Sequence, residues 1–259
     1  MKLGFIGMGN MAGALLRGFL TCGKIKSKDI FVFDKNQEKL EKERKELEFN
    51  SLTCEKEVAE HADVVIMACK PYHVKGALDA MGDALCGKAL LSIALGWDHA
   101  AYRAVLPECV RVQFVMPNTP AMVGQGMFLF EKTTSFAQEE LSFMQELFAA
   151  IGEVETLPSD LMGIGGALSG CGPAFVDLVI EAFADAGVLY GLSRDTAYKL
   201  VSQTVKGAAA LQLETGMHPG ALKDMVCSPG GSTIKGVTAL EENGFRAAAI
   251  AAVRSIMEK

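Results

Sequence analysis

The chain has 259 residues, 50% of them hydrophobic and 22% charged, with a formal net charge of −6. That length accommodates two modest domains, each with its own core. The acidic balance and the absence of any Lys/Arg block exclude a polybasic arm and an electrostatic case for nucleic acid, which leaves small molecules or further copies of the chain as partners.

In chain order, short apolar runs at 3–6, 30–33, 64–69, 89–94 and 110–115 read as strands. Helical periodicity occupies the intervals at 11–20, 37–47, 55–61 and 74–85. Alternation of nearly all-apolar strands with helices predicts a parallel sheet covered on both faces. Residues 127–130 add a further strand, and 138–151 read as a helix ended near Gly152. After Pro158 strand candidates almost vanish. The run 173–189 is apolar nearly all round apart from Asp177, Glu181 and Asp185, which share one face at four-residue spacing. So narrow a polar stripe requires burial of most of the helix circumference, within the segment or against another subunit. Further helices follow at 194–215, 219–226, 233–243 and 245–257. The expected architecture is therefore α/β: a doubly wound parallel sheet over residues 1–155 and an all-helical domain over 156–259.

Gly7, Met8, Gly9, Asn10, Met11 and Ala12 follow the first strand and open a helix. In the GxGxxA pattern, Gly7 permits a tight turn, Gly9 admits a pyrophosphate, and Ala12 is the small residue where helix and strand pack. Free N–H groups at the helix start would hold the phosphates, as in Rossmann-type dinucleotide domains. Glycine-rich turns also occur without nucleotides, but this one has the required strand before it and helix after it. Asp34 ends the second strand, twenty-one residues beyond Gly13. An acid there usually bonds the adenosine ribose hydroxyls and repels a 2′-phosphate, which makes NADH well tolerated. A solvated strand-end acid is the competing reading, and adjacent Lys35 would attract the same phosphate. Ala68, Cys69, Lys70 and Pro71 end the third strand, so this turn borders the cofactor; on pattern alone Lys70 also reads as a surface lysine. Asn118 and Thr119, between two prolines in Met116-Pro-Asn-Thr-Pro120, offer an amide and a hydroxyl to a ligand from a rigid turn.

In the second half, Ser228, Pro229, Gly230, Gly231, Ser232 and Thr233 place a flexible turn ahead of a helix. Free N–H groups of Gly231, Ser232 and Thr233 would cluster there and bind an anion the size of a carboxylate. A plain hydroxyl-capped helix start fits the spacing equally. The seven cysteines form no CxxC pair and the four histidines are scattered, so no metal site is expected. Free thiols in a reducing cytoplasm are the simplest reading. The N-terminus enters a strand at once, so no signal peptide is expected, and the longest apolar stretches are too short to span a bilayer. The expectation is a cytoplasmic protein with no membrane partner.

The segment from His218-Pro219 through Lys223-Asp224 to Ser228-Pro-Gly-Gly-Ser-Thr233, with Leu240-Glu241, resembles the signature of the pyrroline-5-carboxylate reductase family. Matches at 7–12, 116–121 and Ser169-Gly-Cys-Gly-Pro-Ala174, and at Glu181-Ala182, Gly187-Val188 and Gly191-Leu192, extend the resemblance along the chain. It implies reduction of 1-pyrroline-5-carboxylate to L-proline with NADP or NAD, in reduced form, as hydride donor. It also implies an intertwined homodimer, with decamers of five dimers in some members, and an active site where cofactor and helical domains meet. On this resemblance Ser228 and Gly230–Thr233 take the substrate carboxylate, and the Thr233 hydroxyl is assigned to the ring nitrogen as proton relay. His218 is assigned to the start of the next helix rather than to catalysis. Three positions depart from the family pattern: Phe114 for an arginine, Cys171 for a serine and Gly166 for a threonine. They leave room for another small cyclic imine or oxo acid as substrate. A low-turnover nucleotide-binding regulatory protein is a third reading, which the intact 228–233 loop opposes.

Overall fold

The computed structural model describes residues 1–258, which divide into two compact units, Met1–Cys171 and Gly172–Lys259. The first unit is built on β1 (Leu3–Ile6), α1 (Asn10–Thr21), β2 (Ile30–Phe33), α2 (Gln37–Leu47), β3 (Asn50–Ser51), α3 (Glu55–His61), β4 (Val64–Met67) and α4 (Pro71–Met81). It continues through β5 (Ala89–Ser92), α5 (His99–Arg103), β6 (Arg111–Met116), β7 (Gly126–Glu131), α6 (Gln138–Ala149), β8 (Gly152–Leu157) and α7 (Met162–Ser169). One eight-stranded sheet runs in the order β3-β2-β1-β4-β5-β6-β7-β8. Strands β1–β6 are mutually parallel; β7 opposes β6, and β8 runs parallel to β7.

Residues of period two separate the two faces. Leu3, Phe5, Val64 and Ile66 point to one core, where α1 and α6 meet the sheet through Phe19, Phe128, Phe130 and Phe148. Ile6, Val65 and Met67 point to the other, beside Val58, Val74 and Tyr102. Gly4 is needed because α3 lies so close: a Cβ there would come within 2.5 Å of Val58 Cγ1.

Two strands and two helices lie outside the sequence expectation. β3 has two residues, and β8 alternates exposed Glu153 and Glu155 with half-buried Val154, an edge pattern rather than an apolar run. α5 has five residues and is capped by the Asp98 side chain, which accepts from Ala101 N at 2.8 Å. α7 carries Gly163, Gly165 and Gly166, which suppress helical propensity. The expected sequence break at 155 falls inside β8. The chain after it, through α7, packs on β7 via Met162 with Phe114 and Leu129.

The cysteine reading needs correction: Cys86 and Cys109 are joined as a disulfide, while Cys22, Cys54, Cys69, Cys171 and Cys227 are free. Their sequence separation of 23 conceals the pairing, because parallel β5 and β6 bring the two strand entrances together.

The second unit comprises α8 (Gly172–Leu189), α9 (Arg194–Thr215), α10 (Pro219–Met225), α11 (Ser232–Glu242) and α12 (Phe245–Met257). α8 and α9 approach through small residues: a Cβ on Gly187 would lie 3.3 Å from Ala197 Cβ. Ala184 and Ala197 are buried, whereas Leu178, Leu189, Leu213 and Ile250 are among many large apolar residues left exposed. The reading that no apolar stretch is long enough for a bilayer also changes. The helical run Ser159–Leu189 is long and apolar enough to cross a membrane by length and composition alone, a test that the core helix of a soluble protein also meets.

Arg111 at the entrance of β6 fixes α6 by a forked contact. Its Nε reaches Glu140 Oε2 at 2.8 Å and its second terminal nitrogen reaches Oε1 at 2.6 Å, and Ala137 N also donates to Glu140 at 2.9 Å. Burial pushes the Glu140 carboxyl up, but the Arg111 hydrogen bonds, the Ala137 amide and the Arg111 charge together hold it below the ordinary value. A lowered folded-state pKa stabilises the protein above the unfolded-state pKa, and that contribution disappears as pH falls through the folded value. Glu140→Gln is therefore expected to cost about 1 kcal/mol at neutral pH, screened by the partly exposed setting. Urea titrations should show this difference from wild type closing in the acid range.

Candidate active site

The carboxyl ends of β1, β2 and β4 open onto a cavity of about 720 Å³, the crevice where a doubly wound sheet takes its ligand. Ten of the twelve residues expected at a cofactor line it: Gly7, Gly9, Asn10, Met11, Asp34, Lys35, Ala68, Cys69, Lys70 and Pro71. Asn36, Lys39, Glu55, His73 and Leu95 join them and were absent from the sequence reading, as does Thr119, whose hydroxyl in the Met116–Pro120 turn that reading offered to a ligand beside the Asn118 amide.

The β1–α1 turn is held from both sides. Gly7 has φ +96°, and a Cβ on it would approach Cys69 N within 2.9 Å, so only glycine fits between the ends of β1 and β4. Gly7 N donates to Phe33 O at 2.8 Å, and Met8 N donates to Asp34 Oδ2 at 2.6 Å. Gly9, by contrast, faces open space on the side where a Cβ would stand. It begins α1 without a side-chain cap, and no acid occupies the first turn. Unpaired N–H groups beside vacant room above glycine fit a pyrophosphate. α4 likewise starts without a side-chain cap, with Pro71 in its first turn.

Two of the expected residues are placed elsewhere. Met8 contributes its N–H to the turn, but its side chain is 1% exposed within the core. Asn118 is buried, donating through Nδ2 to Ser169 O at 3.0 Å and accepting from Met127 N at 2.9 Å. Its amide therefore splices three segments, and Thr119 lines the cavity in its place. Burial pushes the Cys69 thiol up to about 11, so at neutral pH it is a protonated wall of the cavity and not a nucleophile.

In the helical unit, Ser228-Pro229-Gly230-Gly231 forms a turn in which Gly231 N donates to Ser228 O at 3.0 Å. Pro229 takes the second position and Gly230, at φ +69°, the third, as a type II turn demands. This corrects one expectation: the Gly231 N–H closes the turn and is not offered outward. Ser232, Thr233 and Ile234 then supply the unpaired N–H groups of α11, whose start has no side-chain cap and no acid in its first turn. A Cβ on Gly231 would meet Ser228 Oγ at 2.5 Å, which explains the second glycine. Thr233 is exposed. His218 caps α10, its Nδ1 accepting from Gly220 N at 3.0 Å.

Two of the three departures from the family pattern, Phe114 and Gly166, have local explanations, and nothing in the structure explains Cys171. Phe114 is 3% exposed and packs with Leu129 and Met162. A Cβ at Gly166 would run into Met116 Sδ, so a larger residue requires that methionine to move. Cys171 is exposed at the end of the first unit.

Gly7→Ala combines a left-handed backbone with a clash against backbone atoms that cannot yield. It is expected to lower the unfolding free energy by about 2 kcal/mol or more, measured by denaturant titration, with Gly9→Ala close to wild type in the same experiment.

Comparison with known proteins agrees with this geometry. The family model for pyrroline-5-carboxylate reductase dimerisation matches residues 159–259, and that for NADP oxidoreductase, coenzyme F420-dependent, matches residues 2–96. The pyrroline-5-carboxylate reductase of Escherichia coli is 39% identical, with 100% of this chain and 96% of that protein covered. That of Treponema pallidum is 36% identical, with 99% of each covered. Among solved structures, the Plasmodium falciparum pyrroline carboxylate reductase with NADP bound superposes with a TM-score of 0.89 at 32% identity, covering 100% of this chain and 96% of that one. With relatives of this identity matched end to end, the chain belongs to the pyrroline-5-carboxylate reductase family.

Proposed function

We propose that this protein reduces 1-pyrroline-5-carboxylate to L-proline with a reduced nicotinamide dinucleotide. The observation that carries the reading is the end-to-end match to curated reductases of that name, at 36–39% identity in the two bacterial cases cited above. Both backbone cradles described above support it. When bound, the cofactor supplies hydride; everything else falls to the chain.

The N–H groups at the start of α1 hold the pyrophosphate, with Gly9 leaving the room it needs. Lys70 and Pro71, at the end of β4, border the same ligand. The N–H groups of Ser232, Thr233 and Ile234, beyond the Ser228–Gly231 turn, hold the substrate carboxylate. That anchorage fixes the ring so that its C=N bond has one orientation. A protonated imine is the better acceptor, because reduction then neutralises charge. The Thr233 hydroxyl donates a hydrogen bond toward the ring nitrogen and relays a proton that comes ultimately from water. The exposed apolar faces of α8, α9 and α12 support self-association, which we assign to an intertwined homodimer; light scattering distinguishes it from a decamer.

Consumption of the dihydronicotinamide absorbance with pyrroline-5-carboxylate, and formation of proline, test the activity directly. Absence of turnover with both NADPH and NADH, under conditions where a panel of other cyclic imines is reduced, would refute the substrate. Thr233→Ala is expected to depress kcat/KM about 100-fold with the fold intact; unchanged kinetics would remove the hydroxyl from the mechanism.

A further inference from the structure

We propose that Trp97 is a positioning residue for the dinucleotide: its indole N–H moors the turn after β5 to the start of α4 and so holds Leu95 against the ligand. This rests on the dinucleotide reading of the cavity and adds to it a residue that does not itself line the cavity.

β4 and β5 are parallel neighbours with Met67 beside Ser92, so the turns that leave their carboxyl ends stand side by side. The turn after β4 has a firm support: Pro71 opens α4, and Val74, Ala77 and Leu78 bury that helix. The turn after β5 does not. Ala94-Leu95-Gly96-Trp97 is closed by Trp97 N, which donates to Ala94 O at 3.1 Å, with Gly96 at φ +79°. Leu95 stands at its tip, 69% exposed, and lines the cavity. A leucine in water followed by a glycine gives the turn no packing of its own, and a turn so built samples several positions unless it is tied down.

Trp97 ties it in two directions. Nε1 donates to Pro71 O at 3.1 Å, which joins the turn to the start of α4. The ring meets Tyr102 with centroids 5.0 Å apart and planes at 49°. Tyr102 is fully buried, and its hydroxyl donates to Ser92 Oγ at 3.1 Å. That same oxygen accepts from Ala94 N at 3.2 Å, at the other end of the turn. The turn therefore hangs between the core and a fixed helix end. An indole has one donor and no acceptor, and leaving the donor of half-buried Trp97 unpaired is costly. Positions of the turn in which Nε1 meets Pro71 O are favoured for that reason, and in these Leu95 stands on the cavity wall. A wall set in advance spares the ligand the cost of ordering it.

Trp97 is the only tryptophan in the chain, so biosynthetic replacement of tryptophan by benzothienylalanine, with sulfur in place of the N–H, alters this site alone. Trp97→Phe makes the same deletion genetically, and the isostere decides if that variant fails to fold. Calorimetric titration of the intact protein with NADPH and with NADH is expected to show dissociation constants about fivefold higher in either form. KM for the dinucleotide should follow, while kcat and KM for pyrroline-5-carboxylate stay within about twofold. Leu95→Ala should weaken the dinucleotides comparably. In that background, loss of the indole N–H should cost less than about twofold, because the side chain it positions is gone. Wild-type dinucleotide affinity in the isostere protein, whether or not its thermal midpoint falls, overturns the proposal and leaves the dinucleotide reading in place. Additive effects of the Leu95 and Trp97 changes overturn it equally. Binding of neither NADPH nor NADH by the wild-type protein refutes the dinucleotide reading and this proposal with it.

Discussion

The close meeting of three strand ends governs the first unit. β1 lies between β2 and β4, and the turn that leaves it has to pass within van der Waals contact of the Ala68–Cys69 backbone. Only a residue without Cβ, at positive φ, satisfies that constraint. Once Gly7 is so placed, the next N–H is aimed at Asp34 and α1 begins at Asn10 with its first amides unpaired. The cavity wall at the glycine turn is therefore backbone, already organised before any ligand arrives, while side chains such as Lys35, Lys39, His73 and Leu95 line the rest.

The helical unit follows a different logic. Its turn at 228–231 is fixed locally, by proline, by a left-handed glycine and by one backbone hydrogen bond. Its helices, however, bury almost nothing among themselves: two alanines are fully covered while leucines and isoleucines remain in solvent. At roughly 25 cal/mol per Å² of apolar surface, faces of this kind stabilise a helical assembly far more in association than in isolation. Anion binding in this unit is a matter of short-range backbone geometry, and its stability a matter of what covers it.

Much of this was legible in the sequence, for identifiable reasons. Central parallel strands are buried on both faces, so β1, β2 and β4 appear as uninterrupted apolar runs. α2 and the long α9 have recognisable ends, with Asn36 and Ser193 as side-chain caps at their starts. β8 escaped because an edge strand needs to cover only one face, and α7 because glycines, selected for close packing on Met116 and Leu129, mask its propensity. At the site, motif spacing located the glycine turn but not its partners. That Met8 buries its side chain, that Asn118 is fully engaged by Ser169 and Met127, and that Asp34 bonds Met8 all depend on contacts between residues far apart in the chain.

The two margins of the sheet have an implication for how copies of this protein meet. On one side β3 offers only two residues, too few to template another strand. On the other, β8 holds Glu153 and Glu155 out into water, so a second sheet approaching in register would set carboxylate against carboxylate. Growth by strand addition is thereby discouraged at both borders. Most of the exposed large apolar residues stand instead on the helical second unit, where packing can close on itself and stop.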